Sequence, residues 1–150
     1  MKDLESMKED LKNLFASQRL AVLATQTEGQ PYTSLVAFTA GEDLRQLFFA
    51  TTRATRKYAN LNADSRVAML IDNRANEAAD FRLAMAVTAT GKAEEIEGQE
   101  REKASRLYLA KHPQLEEFVS SPSCALLRIS VDRYYVASRF QKVIEVHVKP

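Results

Sequence analysis

The stretch Ala50-Thr51-Thr52-Arg53-Ala54-Thr55-Arg56-Lys57 gathers hydroxyls and cations at a strand-to-helix junction and contains no acid. Thr55 suits the N-cap of a helix, which puts Arg56 and Lys57 in its first turn. That end of a helix carries partial positive charge, so each cation there costs about 0.3–1 kcal/mol unless an anion shares it. Free backbone N–H groups, two hydroxyls and two or three cationic side chains converging on one place make a site for a phosphate group. The alternative is a solvated basic helix start. The wider segment Leu44 to Ala63 holds Arg45, Arg53, Arg56 and Lys57 without one acid, in a chain whose 21 basic and 20 acidic residues otherwise balance to +1. That balance supplies no global field for nucleic acid or an anionic membrane, so neither is expected as a partner.

Other reactive residues are sparse. His112 and His147, the only histidines, fall in separate elements without a carboxylate or cysteine cluster, so no metal site is expected. His112 before Pro113 reads as a helix terminator. Cys124, the single cysteine, has no basic neighbour in sequence before Arg128 and reads as a buried, inert thiol. Asp72 to Glu77 could fold over a ligand, but an ordinary solvent loop is the simpler reading.

The elements that must position the basic junction follow from hydrophobic period. Leu4, Met7, Leu11, Leu14 and Phe15 recur at helical spacing. Leu20–Thr25 and Tyr32–Thr39, separated by the turn residues of Glu28-Gly29-Gln30-Pro31, predict a hairpin. Leu47–Thr51 is a third strand, followed by a short helix from about Thr55 through Leu61. Arg66–Asp72 and Ala84–Glu95 are the fourth and fifth strands, with Gly91 marking a bulge or sharp bend. Glu100–Lys111 is helical, and Ala125–Val136 and Lys142–Val148 supply the last two strands. Many short strands joined by turns, with helices at the ends and between, predict a mainly β domain, an antiparallel barrel of about six to seven strands with peripheral helices. A doubly wound nucleotide fold would need a glycine-rich first turn and a helix after every strand, and neither is present. One domain over 1–150 is expected, with an N-terminal helix over about 3–17 and a barrel over about 19–148. A single cysteine, a charged start (MKDLESMKEDLK) and no long apolar run predict a cytoplasmic protein.

Several separated motifs, in this order and spacing, carry a resemblance. Gly29-Gln30-Pro31-Tyr32, Ser34-Leu35-Val36-Ala37-Phe38, Phe49-Ala50-Thr51, Thr55-Arg56-Lys57, Asn60-Leu61 and Ser65-Arg66-Val67-Ala68 resemble the FMN-binding split β-barrels related to pyridoxamine 5′-phosphate oxidase. The likeness runs from Leu20 to about Glu95 and is weaker over Ala125 to Val148. It implies FMN as cofactor, with its phosphate held by Thr51, Thr55, Arg56 and Lys57 at the end of the strand containing Ala50. It implies that Ser34, Leu35 and Val36 run along the flavin. It further implies a homodimer with the ring at the interface, to which Arg139, Phe140 and Gln141 of the second subunit contribute. The apolar strands Val36–Phe38 and Val143–Val148 would offer the surface such a dimer covers.

Departures from the family pattern limit the activity implied. Authentic pyridoxamine phosphate oxidases have a basic residue near the start of the second strand and a Lys at its end, where this chain has Ser34 and Thr39. They also carry a Trp and an Arg/His cluster near the C-terminus; this chain has no Trp. The resemblance therefore implies an FMN-dependent oxidoreductase acting on another small molecule, with NAD(P)H a candidate donor. Its alternatives are a non-enzymatic flavin carrier or sensor, and a haem-handling barrel, since relatives of the fold degrade or bind haem.

Overall fold

The computed structural model describes residues 2–148, with side chains from Leu4 onward. Positions 1, 149 and 150 of the expected domain lie outside the described residues. In chain order the elements are β1 (Lys2–Asp3), α1 (Leu4–Ser17), β2 (Leu20–Thr27), β3 (Gln30–Ala40), β4 (Gln46–Thr52), α2 (Arg56–Ala63), β5 (Arg66–Asp72), α3 (Asp80–Leu83), β6 (Met85–Glu95), α4 (Gly98–Lys111), a 3-10 turn at Pro113–Leu115, α5 (Glu116–Ser120), β7 (Cys124–Ser138) and β8 (Lys142–His147).

Six antiparallel strands close a barrel in the order β7-β4-β3-β2-β5-β6, with β6 returning to pair with β7. β8 lies outside this ring, antiparallel to β7, and the two-residue β1 runs parallel to β8. Closure needs a sharp bend in the long β6–β7 pair, and it falls at Gly91. The register shifts between Thr90 and Gly91, leaving Asp132 as the extra residue on β7. A Cβ at Gly91 would lie 2.1 Å from the Ser130 carbonyl oxygen, so only glycine lets the two backbones approach this closely.

Helix α1 plugs one end of the barrel. Met7, Leu11, Leu14 and Phe15 are its buried stripe, and Phe15 packs edge-on against Phe38 and tilted against Tyr134. Each such apolar side chain taken out of water contributes about 1.5–3 kcal/mol. The half-buried Lys111 ammonium fastens the helix end, donating to the Phe15 carbonyl at 2.8 Å while lying 3.9 Å from the centre of the Phe38 ring.

A second apolar cluster lies on the outer face of β4 and β7, where Phe48, Ala50 and Leu126 meet Ala104, Tyr108 and Val119 of α4 and α5. β4 is thus covered on both faces, which explains its unbroken buried run Leu47–Thr51. Val36, Phe38 and Val146, expected on an exposed face, instead join the main apolar core and are buried. Period-2 alternation moves the exposed apolar surface to their neighbours: Leu35 is 63% exposed and Val143 60%, with Leu20, Tyr32, Phe81, Leu83 and Phe140 also open.

Candidate functional site

β3 and β4 pair only through Phe38↔Phe49, Thr39↔Phe48 and Ala40↔Leu47. Before Phe38 the strands part. β3 stays with β2 as far back as Gln30, whereas β4 stays with β7 to Thr52. The gap is a groove of about 310 Å3. One wall is Leu35, Val36 and Ala37; the other is Ala50, Thr51 and Thr52. Thr55 and Lys57 close one end, and Tyr108, Leu115 and Phe118 from the helical insertion form the floor. The Tyr108 hydroxyl donates to the Ala37 carbonyl at 2.9 Å, and burial pushes its pKa up to about 12. In an antiparallel strand both backbone groups of a residue point the same way and alternate along the chain. The free edge that carries the Ala37 carbonyl therefore carries the N–H and carbonyl of Leu35 as well.

Thr55 caps α2. Its backbone is extended, its Oγ1 accepts from the Tyr58 amide at 3.3 Å, and the first intrahelical bond runs from the Ala59 amide to the Thr55 carbonyl. The amides of Arg56 and Lys57 precede that bond and are open to an external acceptor. Thr51 Oγ1 and Thr55 Oγ1 are 3.0 Å apart, and both lie within donating distance of the Thr52 carbonyl. The Thr52 carbonyl, with two lone pairs, accepts both hydroxyls, and either one can rotate its proton toward an incoming oxyanion instead.

Arg56 is exposed and Lys57 half-buried, and neither has a carboxylate partner among the described residues. Partial burial holds the Lys57 ammonium below its ordinary pKa. Arg53 behaves differently, correcting the expectation that up to three cations converge. Its guanidinium is bound to Glu95 at 2.5 Å and to the Pro122 carbonyl at 2.9 Å, and Glu95 also accepts from the Tyr58 hydroxyl at 2.6 Å. Among the described residues this leaves Arg56 and Lys57 as cations without a carboxylate partner at the helix start.

Ser34 lies two residues before Val36 on β3. It does not line the groove, and its hydroxyl is buried with no hydrogen-bond partner among the described residues. Arg139, Phe140 and Gln141 form the β7–β8 turn, with Arg139 and Phe140 both at positive φ. They do not line this groove; Phe140 packs edge-to-face on Phe81 of α3 at 5.1 Å. Sequence reasoning misses the floor residues Tyr108, Leu115 and Phe118, and it misses Glu95. Tyr108 is visible there only as one position of an apolar helix face.

His112 and Cys124 are both buried. Nε2 of His112 lies 2.7 Å from the Phe38 carbonyl, and burial raises the Cys124 thiol above its ordinary pKa. No cluster of three or more metal-ligating side chains exists among the described residues, and no helix there is long and apolar enough to cross a membrane.

Residues 7–137 match the family described as Pyridoxamine 5′-phosphate oxidase. The chain belongs to the pyridoxamine 5′-phosphate oxidase family. The match takes in both walls of the groove, the start of α2 and the insertion that forms the floor. Among curated proteins nothing matches this sequence at a significant level. Solved structures share the oxidase-family barrel at low identity. A haem-binding protein from Mycobacterium smegmatis superposes with a TM-score of 0.82 at 21% identity, over 93% of this chain and 57% of that one. General Stress Protein 26 from Bacillus anthracis gives 0.73 at 18%, over 95% and 98%. An FAD-binding protein from Mesorhizobium loti gives 0.68 at 18%, over 86% and 90%. At these identities the likeness establishes the fold. The chain spans little more than half the length of the haem-binding protein.

Proposed function

We propose that this oxidase-family barrel binds flavin mononucleotide in the split between β3 and β4 and serves as an FMN-dependent oxidoreductase. The observation that carries the reading is the pair of uncompensated cations, Arg56 and Lys57, on the first turn of α2. They sit beside two open amides and two rotatable hydroxyls, and they favour a terminal phosphate over any neutral group. Ser34, Leu35 and Val36 would run along the ribityl chain and ring, with the free edge at Leu35 as a polar contact. Thr51, next to Ala50, would turn its hydroxyl from the Thr52 carbonyl to the phosphate.

When bound, the flavin would supply the electron transfer, with NAD(P)H as a candidate donor. The residues around it bind and orient. Lys57 and Tyr108 are the titratable side chains in the groove, and the Tyr108 hydroxyl is held by the Ala37 carbonyl. A second copy of the chain would cover the ring, with Arg139, Phe140 and Gln141 of that copy brought to it. The exposed Leu20, Tyr32, Leu35, Phe140 and Val143 support such a homodimer, since together they offer apolar surface for a partner.

Titration with FMN and with riboflavin tests the reading. FMN is expected to bind at least tenfold more tightly, since the phosphate makes charge-assisted contacts riboflavin lacks; equal affinities would refute the phosphate site. Sedimentation of the FMN-loaded protein should give a dimer at micromolar concentration, and a tightly binding monomer would refute the interface placement. Haem is the competing occupant, favoured by the haem-binding neighbour. Neither described histidine lines the groove, so haem binding there would lack a histidine ligand. Mass spectrometry of the small molecule released on denaturation separates the two.

A further inference from the structure

Glu95, at the end of β6, is joined to the start of α2 across 42 and 37 residues of sequence. Its carboxylate takes the Arg53 guanidinium on one oxygen and the Tyr58 hydroxyl on the other. The bond to Arg53 is the main cause that holds the Glu95 carboxyl below its ordinary pKa, keeping it ionised at neutral pH. Arg53 itself stands two residues before the N-cap. It is anchored independently of Glu95, by its amide to the Ser123 carbonyl at 3.0 Å and by Nη1 to the Pro122 carbonyl. Arg101, also close enough to affect Glu95, donates to the Val119 carbonyl.

We propose that Glu95 sets the charge of the phosphate subsite: by cancelling Arg53 it leaves Arg56 and Lys57 alone to face the ligand. Two cations then match a phosphate monoester, which carries close to two negative charges at neutral pH. This rests on the flavin mononucleotide reading above. Glu95 touches no part of the groove, so it is a positioning and charge-setting residue whose effect reaches the ligand through Arg53. Because the Pro122 and Ser123 carbonyls keep Arg53 in place, neutralising Glu95 adds a fixed positive charge near the site instead of releasing a mobile one. Neutralising Arg53 does the opposite and leaves a carboxylate that repels the phosphate.

The sign of the effect separates this role from scaffolding. Glu95→Gln, which keeps an acceptor for the Tyr58 hydroxyl, should tighten FMN binding. Arg53→Met, which keeps the apolar stem, should weaken it. Each change should be roughly five- to tenfold at low salt, the scale of one unit charge on a dianion if the two are taken as about 10 Å apart at intermediate-to-high dielectric. The double variant should return to within about twofold of the wild type, since the two charges cancel on the ligand at this distance. Riboflavin affinity should not move in any variant, and the differences should shrink in about 0.5 M sodium chloride. If both single variants weaken FMN, or if riboflavin affinity changes in step with FMN, Glu95 is a structural brace and the proposal is overturned alone. Wild-type protein that holds FMN no better than riboflavin overturns the parent reading and this one together.

Discussion

Lys57→Met should make the empty protein more stable and the FMN-bound protein less stable, so that the two stability orders cross. Lys57 is the second residue of α2, next to the positive end of the helix dipole, half-buried and without a carboxylate partner among the described residues. In the empty protein, removing its charge while keeping the apolar stem should gain about 0.3–1 kcal/mol. For a chain of this size that raises the melting temperature by about 1–4 °C. With ligand present the sign reverses. Losing one charge-assisted contact costs about 1.5–3 kcal/mol, or roughly 10- to 150-fold in affinity. At a free FMN concentration of about 100 times the wild-type Kd, the wild type gains about 2.7 kcal/mol, whereas the variant gains only about 0.3–1.4 kcal/mol. Thermal melts with and without FMN, paired with a fluorescence titration of the flavin, read both quantities. A variant that is destabilised when empty would show that Lys57 has a favourable partner in the protein. Unchanged FMN affinity would remove Lys57 from the phosphate site.

Gly91→Ala should cost roughly 3 kcal/mol or more, because the added Cβ meets the Ser130 backbone and cannot be relieved by a side-chain rotation; chemical denaturation measures it, and a loss under 1 kcal/mol would disprove the close approach. Lys111 has its pKa lowered by burial to about 8, below the ordinary value of 10.5. The unfolded chain therefore binds more protons between those values, and the wild type should gain stability over Lys111→Met as pH rises from about 8 to 10.5, a gain reduced by solvent screening of the half-exposed amine; a difference that is flat with pH would refute the partial burial of a charged amine. FMN-saturated protein should not oxidise pyridoxine 5′-phosphate, because Arg56 and Lys57 are assigned to the cofactor and Ser34 and Thr39 replace basic residues of authentic oxidases. Oxygen consumption near 1 s⁻¹, the low end of ordinary enzyme turnover, would overturn that assignment.

Local rules make the start of α2 legible in the amino-acid order alone: a threonine ahead of a helical pattern, followed by cations at the end of the helix that disfavours them. Gly91 is legible for a similar reason, a lone glycine inside an otherwise continuous strand pattern. What the sequence hides is pairing at a distance. Nothing in the local pattern around Glu95 points to Arg53 and Tyr58, and the count of cations at the site changes once that pairing is known. The apolar run in β4 does not say which residues cover its outer face, so Tyr108, Leu115 and Phe118 emerge only from tertiary packing. The interior placement of Val36, Phe38 and Val146 escapes a reading of the sequence because an apolar strand does not announce which of its two faces turns inward. Only pairing fixes that register.

The divergence of β3 from β4 also leaves a length of unpaired strand backbone at the surface, running back from Ala37 past the exposed Leu35 toward Tyr32. Such an edge is a template for another chain to add a strand; Tyr32 and Leu35 give it exposed apolar side chains, and Pro31 is the one protective residue at its far end. A cofactor or second copy bound along this strand, as proposed, would also shield it from self-association. Loss of ligand and loss of solubility would then be coupled in one segment, and an empty preparation would be the form most exposed to edge-to-edge aggregation.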